Sequence, residues 1–184
     1  GTLGFVNEEL SADNGAFYSS LDADSKNEND ELEEGVFYSW TKQELKTLLK
    51  DYELFANYYN VNTIGFWEKE LYVLIRNQSD AEFAKKNKLT KKELKDKIRS
   101  WKSILKTTRN KRSKPNLDDK ILTSWNALML QGYVDAYKAF DDETYLKKAI
   151  KIAEFLLNNQ LRSDGGLNRN FKNGKSTING YAED

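Results

Sequence analysis

The chain has 184 residues, with 29 basic and 29 acidic residues and neither cysteine nor histidine. That composition excludes disulfides, thiol nucleophiles, Ser-His-Asp triads and histidine bases, and it removes the usual ligands of a structural zinc. Acid–base work must therefore fall to Asp, Glu, Lys or Tyr, and 39% hydrophobic with 32% charged residues describe a soluble globular protein. No apolar run reaches the ~18–20 residues of a membrane span. The opening GTLGFVNEELSAD lacks the basic and apolar regions of a signal peptide. The expectation is a cytoplasmic protein with no membrane partner, no cofactor and no bound metal.

In chain order, residues 15–20 (GAFYSS) and 35–40 (GVFYSW) resemble each other and flank an acidic loop, so they are expected to pair as a hairpin. The loop, residues 22–34, holds many carboxylates against the single base Lys26. Read as a calcium loop from Asp22, it offers oxygens from Asp22, Asp24, Glu28, Asp30 and Glu33. Lys26 stands at the fifth position and Asn27 replaces the glycine of the sixth, so the EF-hand pattern fails. A loop with local turn bonds and solvated carboxylates is the simpler reading.

Three capping boxes then announce helix starts: Thr41 with Glu44, Ser79 with Glu82, and Thr90 with Glu93. The helix after Thr90 carries Leu94, Ile98, Trp101 and Leu105 as one apolar stripe on a basic rod. It is expected to end near Ser113, because Pro115 disfavours helical geometry at Lys114. Residues 85–114 contain fourteen Lys or Arg against Glu93 and Asp96. With no stacking platform and no helix-turn-helix, they read as a solvated face, and no nucleic-acid partner is expected.

The next helix, about residues 120–140, has apolar side chains on more than one side and is expected to be buried nearly all round. After a turn at Asp141 and Asp142, a helix over about residues 143–161 should bury Leu146, Ala149, Ile150, Ala153, Leu156 and Leu157. The two make an αα-hairpin. Residues 165–171 (GGLNRNF) lead into Asn173-Gly174, a strong turn dipeptide.

Asp118-Asp119-Lys120 stands where a loop enters the buried helix. One Asp there is expected to cap free amides at the helix start. The functional reading sends the other into a cleft beside Trp125 and Asn126, where a carboxylate, an aromatic ring and an amide suit a sugar.

Taken in order, GAFYSSLDADS, EEGVFYSW, KPNLDDKILTSWNALM, GGLNRNF and GYAED resemble the YyaL family, also known as spermatogenesis-associated thioredoxin-domain proteins. DDKILTSWN is the most specific of these segments. The resemblance implies a mainly α fold: helical hairpins of an (α/α)6 toroid similar to the six-hairpin glycosidases, with short β-hairpins in the connecting loops. It also implies that residues 1–184 are a single partial domain of that toroid, with a thioredoxin-like domain upstream. The family motif reads approximately Pro-His-x-Asp-Asp-Lys, and Asn116 stands here in place of its histidine. Asparagine cannot take a proton, so a base at that position is not expected.

By the same resemblance, Asp118, Asp119, Glu183 and Asp184 line the mouth of the toroid, and for a hydrolytic domain the candidate catalytic carboxylates are one of Asp118 and Asp119 against Glu183, Asp184 or Asp24. Asp22, Asp24, Tyr38, Trp40, Lys120, Trp125, Asn126 and Arg169 are the candidate substrate-binding residues. Two functions compete. One is a carbohydrate-binding or carbohydrate-active domain that takes a small carbohydrate in an acidic cleft. The other is a non-catalytic scaffold in which Asp-Asp-Lys is a network of caps and ion pairs. Apolar surface left open on the inner helices would favour self-association.

Overall fold

A computed structural model of the protein describes residues 1–182. In chain order they form α1 (Thr2–Glu9), β1 (Ser20–Leu21), β2 (Asp24–Lys26), β3 (Leu32–Glu34), β4 (Trp40–Thr41), α2 (Lys42–Leu48), α3 (Tyr52–Tyr59) and β5 (Leu71–Tyr72). There follow α4 (Asp80–Lys86), α5 (Lys91–Arg109), β6 (Leu117–Asp118), β7 (Ile121–Leu122), α6 (Thr123–Phe140), α7 (Glu143–Asn159), β8 (Asn170–Lys172) and β9 (Lys175–Ser176). The fold is mainly α, with short antiparallel strand pairs in the connections. No helix among the described residues is long and apolar enough to cross a membrane. The chain divides into two compact units: Gly1–Asp22 with Leu117–Asp184, and Ala23–Asn116.

In the first unit, α6 and α7 form the expected antiparallel hairpin. Asp141 closes α6 in the left-handed conformation, and Asp142 caps α7 by accepting from the Thr144 amide at 2.9 Å. Phe17 stacks on Tyr133 with ring centroids 5.8 Å apart, and Ala149 and Ile152 complete that cluster beneath Leu3 and Val6 of α1. A second cluster joins Ile121, Phe155 and Phe171. β8 and β9 turn through Asn173 and Gly174, whose φ values of 52° and 74° are those of a type I′ hairpin.

Two expectations about these helices need correction. α6 is not buried all round: Trp125 is 50% and Leu128 70% exposed, while Asn126, Tyr133 and Ala136 face inward. A helix buries only the sides that another element reaches, and α7 and the Phe17 loop reach one side of α6. On α7 the buried line runs through Ala149, Ile152 and Phe155, leaving Ile150 and Leu157 outside.

The second unit is a helical cluster around Trp101, whose ring meets Phe55, Tyr58 and Tyr59. All three capping boxes are closed reciprocally, at Thr41, Ser79 and Thr90. Leu94, Trp101 and Leu105 of α5 are buried as the stripe requires, and the helix stops at Arg109, four residues before Ser113. Asp51, just before α3, accepts from the Trp101 indole at 2.8 Å and from the Lys97 ammonium at 2.6 Å, which ties the start of α3 to α5. Tyr58 and Tyr59 lie in the core, whereas Phe66 and Trp67 are exposed.

The aromatic segments at residues 15–20 and 35–40 do not pair with each other. Ser20–Leu21 pairs with Leu117–Asp118, and Trp40–Thr41 pairs with Leu71–Tyr72. The acidic loop folds on itself instead, as the hairpin β2–β3. Its tip is held by Asn27, whose side chain accepts from the Asn29 and Glu31 amides. Similar aromatic composition did not make the two segments partners, because each finds a buried surface within its own unit.

Candidate functional site

Three of the sequence motifs converge in the first unit. β1 and β6 place Ser20 opposite Asp118, and the Ser19 hydroxyl donates to the Asp118 carbonyl at 3.1 Å. Asn126 is only 1% exposed and spans the next gap. Its Oδ1 accepts from the Phe17 amide at 2.8 Å, and its Nδ2 donates to the carbonyls of Phe17 and Leu122 at 3.0 and 2.9 Å. β7 then pairs with β8, setting Ile121 against Phe171 and Leu122 against Asn170. Residues remote in sequence are thus held by backbone pairing and one buried amide.

The polar core beneath this site was not legible in the sequence. Thr123 donates to the Asn168 carbonyl at 2.5 Å and accepts from Gln160 at 2.8 Å, and Gln160 is fully buried. Ser176 of β9 lies within hydrogen-bonding reach of the same glutamine. A buried glutamine at the end of α7 is costly unless every polar atom is matched. The match comes from the first turn of α6 and from the β8–β9 hairpin.

Against this frame opens a cavity of about 280 Å³. Asp118, Lys120, Trp125, Arg169 and Asn170 line it, with Ser19, Ser20, Leu122 and Ile178. Trp125 presents half of its surface to solvent. Asp118 and Lys120 form an ion pair at 3.0 Å, and the Lys120 amide approaches the same carboxylate at 3.4 Å. The Lys120 ammonium holds the Asp118 carboxyl below its usual range, against a smaller opposing effect of burial. Arg169 lies over the Tyr181 ring at 4.9 Å. Asn170 is 9% exposed, and its buried Oδ1 has no hydrogen-bond partner.

The structure sorts the expected site residues. Asp118, Lys120, Trp125 and Arg169 come together, and Asn170 joins them without having been foreseen. Asn126 does not line the cavity, since its amide is spent on Phe17 and Leu122. Asp119 is outside the lining and pairs with Lys172 of β8 at 2.5 Å. Neither Asp118 nor Asp119 caps α6, because the β6–β7 turn separates them from the helix start. The N-cap is Leu122, which makes no side-chain cap bond. Glu183 and Asp184 lie outside the described residues.

Asp22 is absent from the cavity lining, and Asp24 opens β2 in the second unit. Trp40 is buried in that unit beneath the Arg112 guanidinium, 4.0 Å from the ring centroid. Arg112 also donates to the carbonyls of Val36, Phe37 and Ser39 and pairs with Glu44 at 2.8 Å. One arginine therefore fastens the whole GVFYSW segment to the start of α2. Tyr38 is exposed, beside Arg109. Among the described residues no group of three or more Asp or Glu is placed to hold a metal ion.

No protein-family model matches the chain. An uncharacterized protein of Caenorhabditis elegans is 33% identical over 203 aligned residues, covering 96% of this chain and 28% of that protein. Spermatogenesis-associated protein 20 of mouse and of human are each 29% identical over 177 residues, covering 85% of this chain and 22% of theirs. The chain thus spans about a quarter of the length of these relatives. The matches support a relationship to the spermatogenesis-associated protein 20 and YyaL-like group.

Proposed function

We propose that this chain is a carbohydrate-binding part of a larger helical protein, built on the hairpins of an (α/α)6 toroid and working in the cytoplasm. The observation that carries the reading is the half-exposed Trp125 indole beside the Asp118–Lys120 pair and the Asn170 Oδ1, which has no hydrogen-bond partner. An indole offers a flat apolar surface for a sugar ring, and the charged and amide groups offer acceptors and donors for its hydroxyls. Arg169 lines the same cavity.

Binding is favoured over cleavage. Glycoside hydrolysis needs two carboxylates, ~5–5.5 Å apart for retention or ~6.5–9.5 Å apart for inversion. Among the described residues the cavity holds one carboxylate, Asp118, and Lys120 keeps it ionised rather than poised as an acid. Titration of the chain with a panel of methyl glycosides and sugar phosphates tests the reading. At least one saccharide should bind, and Trp125→Ala should weaken it by about tenfold or more, the loss of one stacking contact in a small site. If no saccharide binds, or Trp125→Ala binds as well as the parent chain, the reading fails.

A second reading rests on a separate observation: both aspartates are already ion-paired, Asp118 with Lys120 and Asp119 with Lys172. In that reading the Asp-Asp-Lys motif is a scaffold for β6–β8. Asp118→Asn and Asp119→Asn would then lower the melting temperature and leave saccharide binding unchanged.

A further inference from the structure

A cavity of about 430 Å³ lies wholly within the second unit, lined from the end of α3, the loop before α4 and α4 itself. Six of its eight lining residues are carboxamides: Asn57, Asn60, Asn62, Asn77, Gln78 and Asn87. Among the described residues no carboxylate lines it, Lys86 is the single charged residue, and the one ring, Phe83, is 1% exposed. Such a lining offers a cation no counter-charge and a flat ligand no open ring to stack on.

The amides of this cavity are held in fixed orientations. Asn60 closes α3 in the left-handed conformation, with φ 55°, and is 4% exposed. Its Nδ2 donates to the Ile75 carbonyl at 2.7 Å and to Asn77 Oδ1 at 3.0 Å, while its Oδ1 accepts from no group among the described residues. Asn62 Oδ1 accepts from the Ile64 amide at 2.8 Å, and Asn87 Nδ2 donates to the Phe83 carbonyl at 2.9 Å. A carboxamide has one accepting and one donating end, so the ends left over are determined. They are acceptors on Asn60 and Asn87 and donors on Asn62 and Asn77. Asn57 and Gln78 make no side-chain hydrogen bond among the described residues and offer both ends. An unmet acceptor on a residue as buried as Asn60 is unfavourable until water or a ligand supplies a donor.

We infer that this cavity binds a small, non-aromatic polyol. A hydroxyl both donates and accepts, so neighbouring hydroxyls on one small molecule suit a mixed set of amide acceptors and donors. In the bound state they donate to the Oδ1 atoms of Asn60 and Asn87 and accept from the Nδ2 atoms of Asn62 and Asn77, and Asn57 and Gln78 add further contacts. The site does not depend on the saccharide reading at Trp125, which belongs to the other unit.

The test is titration of the chain, followed by NMR, with myo-inositol and with sorbitol. Cyclohexanol, a ring with one hydroxyl, is the control. At least one polyol should bind saturably and shift the side-chain amide signals of Asn57, Asn62 and Gln78. Cyclohexanol should bind about tenfold more weakly or worse, because one hydroxyl meets fewer amides than several do. Asn57→Ala and Gln78→Ala remove amides that bond nothing else in the protein, so each should weaken binding severalfold at an unchanged melting temperature. Trp125→Ala should leave the affinity as it is. No saturable binding of either polyol, cyclohexanol binding as tightly, an unchanged affinity in both alanine variants at this cavity, or a loss of affinity in Trp125→Ala would overturn the inference.

Discussion

Single buried polar side chains do much of the positioning in this protein. Asn126 makes three hydrogen bonds with no solvent to replace them, so Asn126→Ala should cost about 3 kcal/mol, since each orphaned buried group costs ~1–3 kcal/mol. Urea denaturation would show it as a fall in the midpoint. Asp51 carries a pH signature. Burial raises its carboxyl, but the Lys97 and Trp101 hydrogen bonds outweigh that and hold it below the ordinary value of 3.8. Its stabilisation is therefore fully present above pH 3.8 and is lost as pH falls below that, through the folded-state pKa. Asp51→Asn should lower stability at neutral pH and flatten the acid limb of the stability profile; an acid limb unchanged from that of the parent would refute this. Gly65 is constrained by space: a Cβ would sit 2.3 Å from the Asn60 carbonyl oxygen and 2.8 Å from that of Val73. Both are backbone atoms, so Gly65→Ala should cost ~1–3 kcal/mol, read as a lower melting temperature.

At the scale of elements, local chemistry and long-range packing divide the work differently. The three capping boxes could be read from four residues each, because both hydrogen bonds of the motif close within one turn. Thr90→Ala should accordingly cost about 1 kcal/mol, with α5 amides near its start exchanging faster. The Asn173-Gly174 turn was legible for the same reason. Strand pairing was not. The segment around Phe17 pairs with residues about a hundred positions away, and no local pattern says which aromatic stretch meets which. The buried face of α7 also escaped the periodicity. Leu157 and Ile150 are as apolar as Ile152, and only the position of α6 and the Phe17 loop decides which of them is covered.

At the scale of the whole molecule, the exposed apolar side chains on α6 and α7 have consequences. Leu128 is 70% and Leu157 61% exposed, with Trp125 and Ile150 also open. Apolar surface of this kind drives association when it is contiguous. The chain should therefore show a mass that rises with concentration in light scattering, and Leu128→Lys with Leu157→Lys should reduce that rise. A mass that stays at one chain across the range would show that these side chains are scattered rather than joined.

Absent cysteine and histidine, the three capping-box helix starts, the αα-hairpin and the resemblance noted at DDKILTSWN were all readable from residue order. Each depends on residue type or on contacts within a turn or two. The meaning of that segment was decided by the fold. Side by side in sequence, Trp125 opens to a cavity while Asn126 is sealed against Phe17, and Asp118 enters the site while Asp119 turns to Lys172. Adjacent residues on a helix or strand point in different directions. Which direction is solvent depends on distant strands and on α7, and only the tertiary structure supplies them.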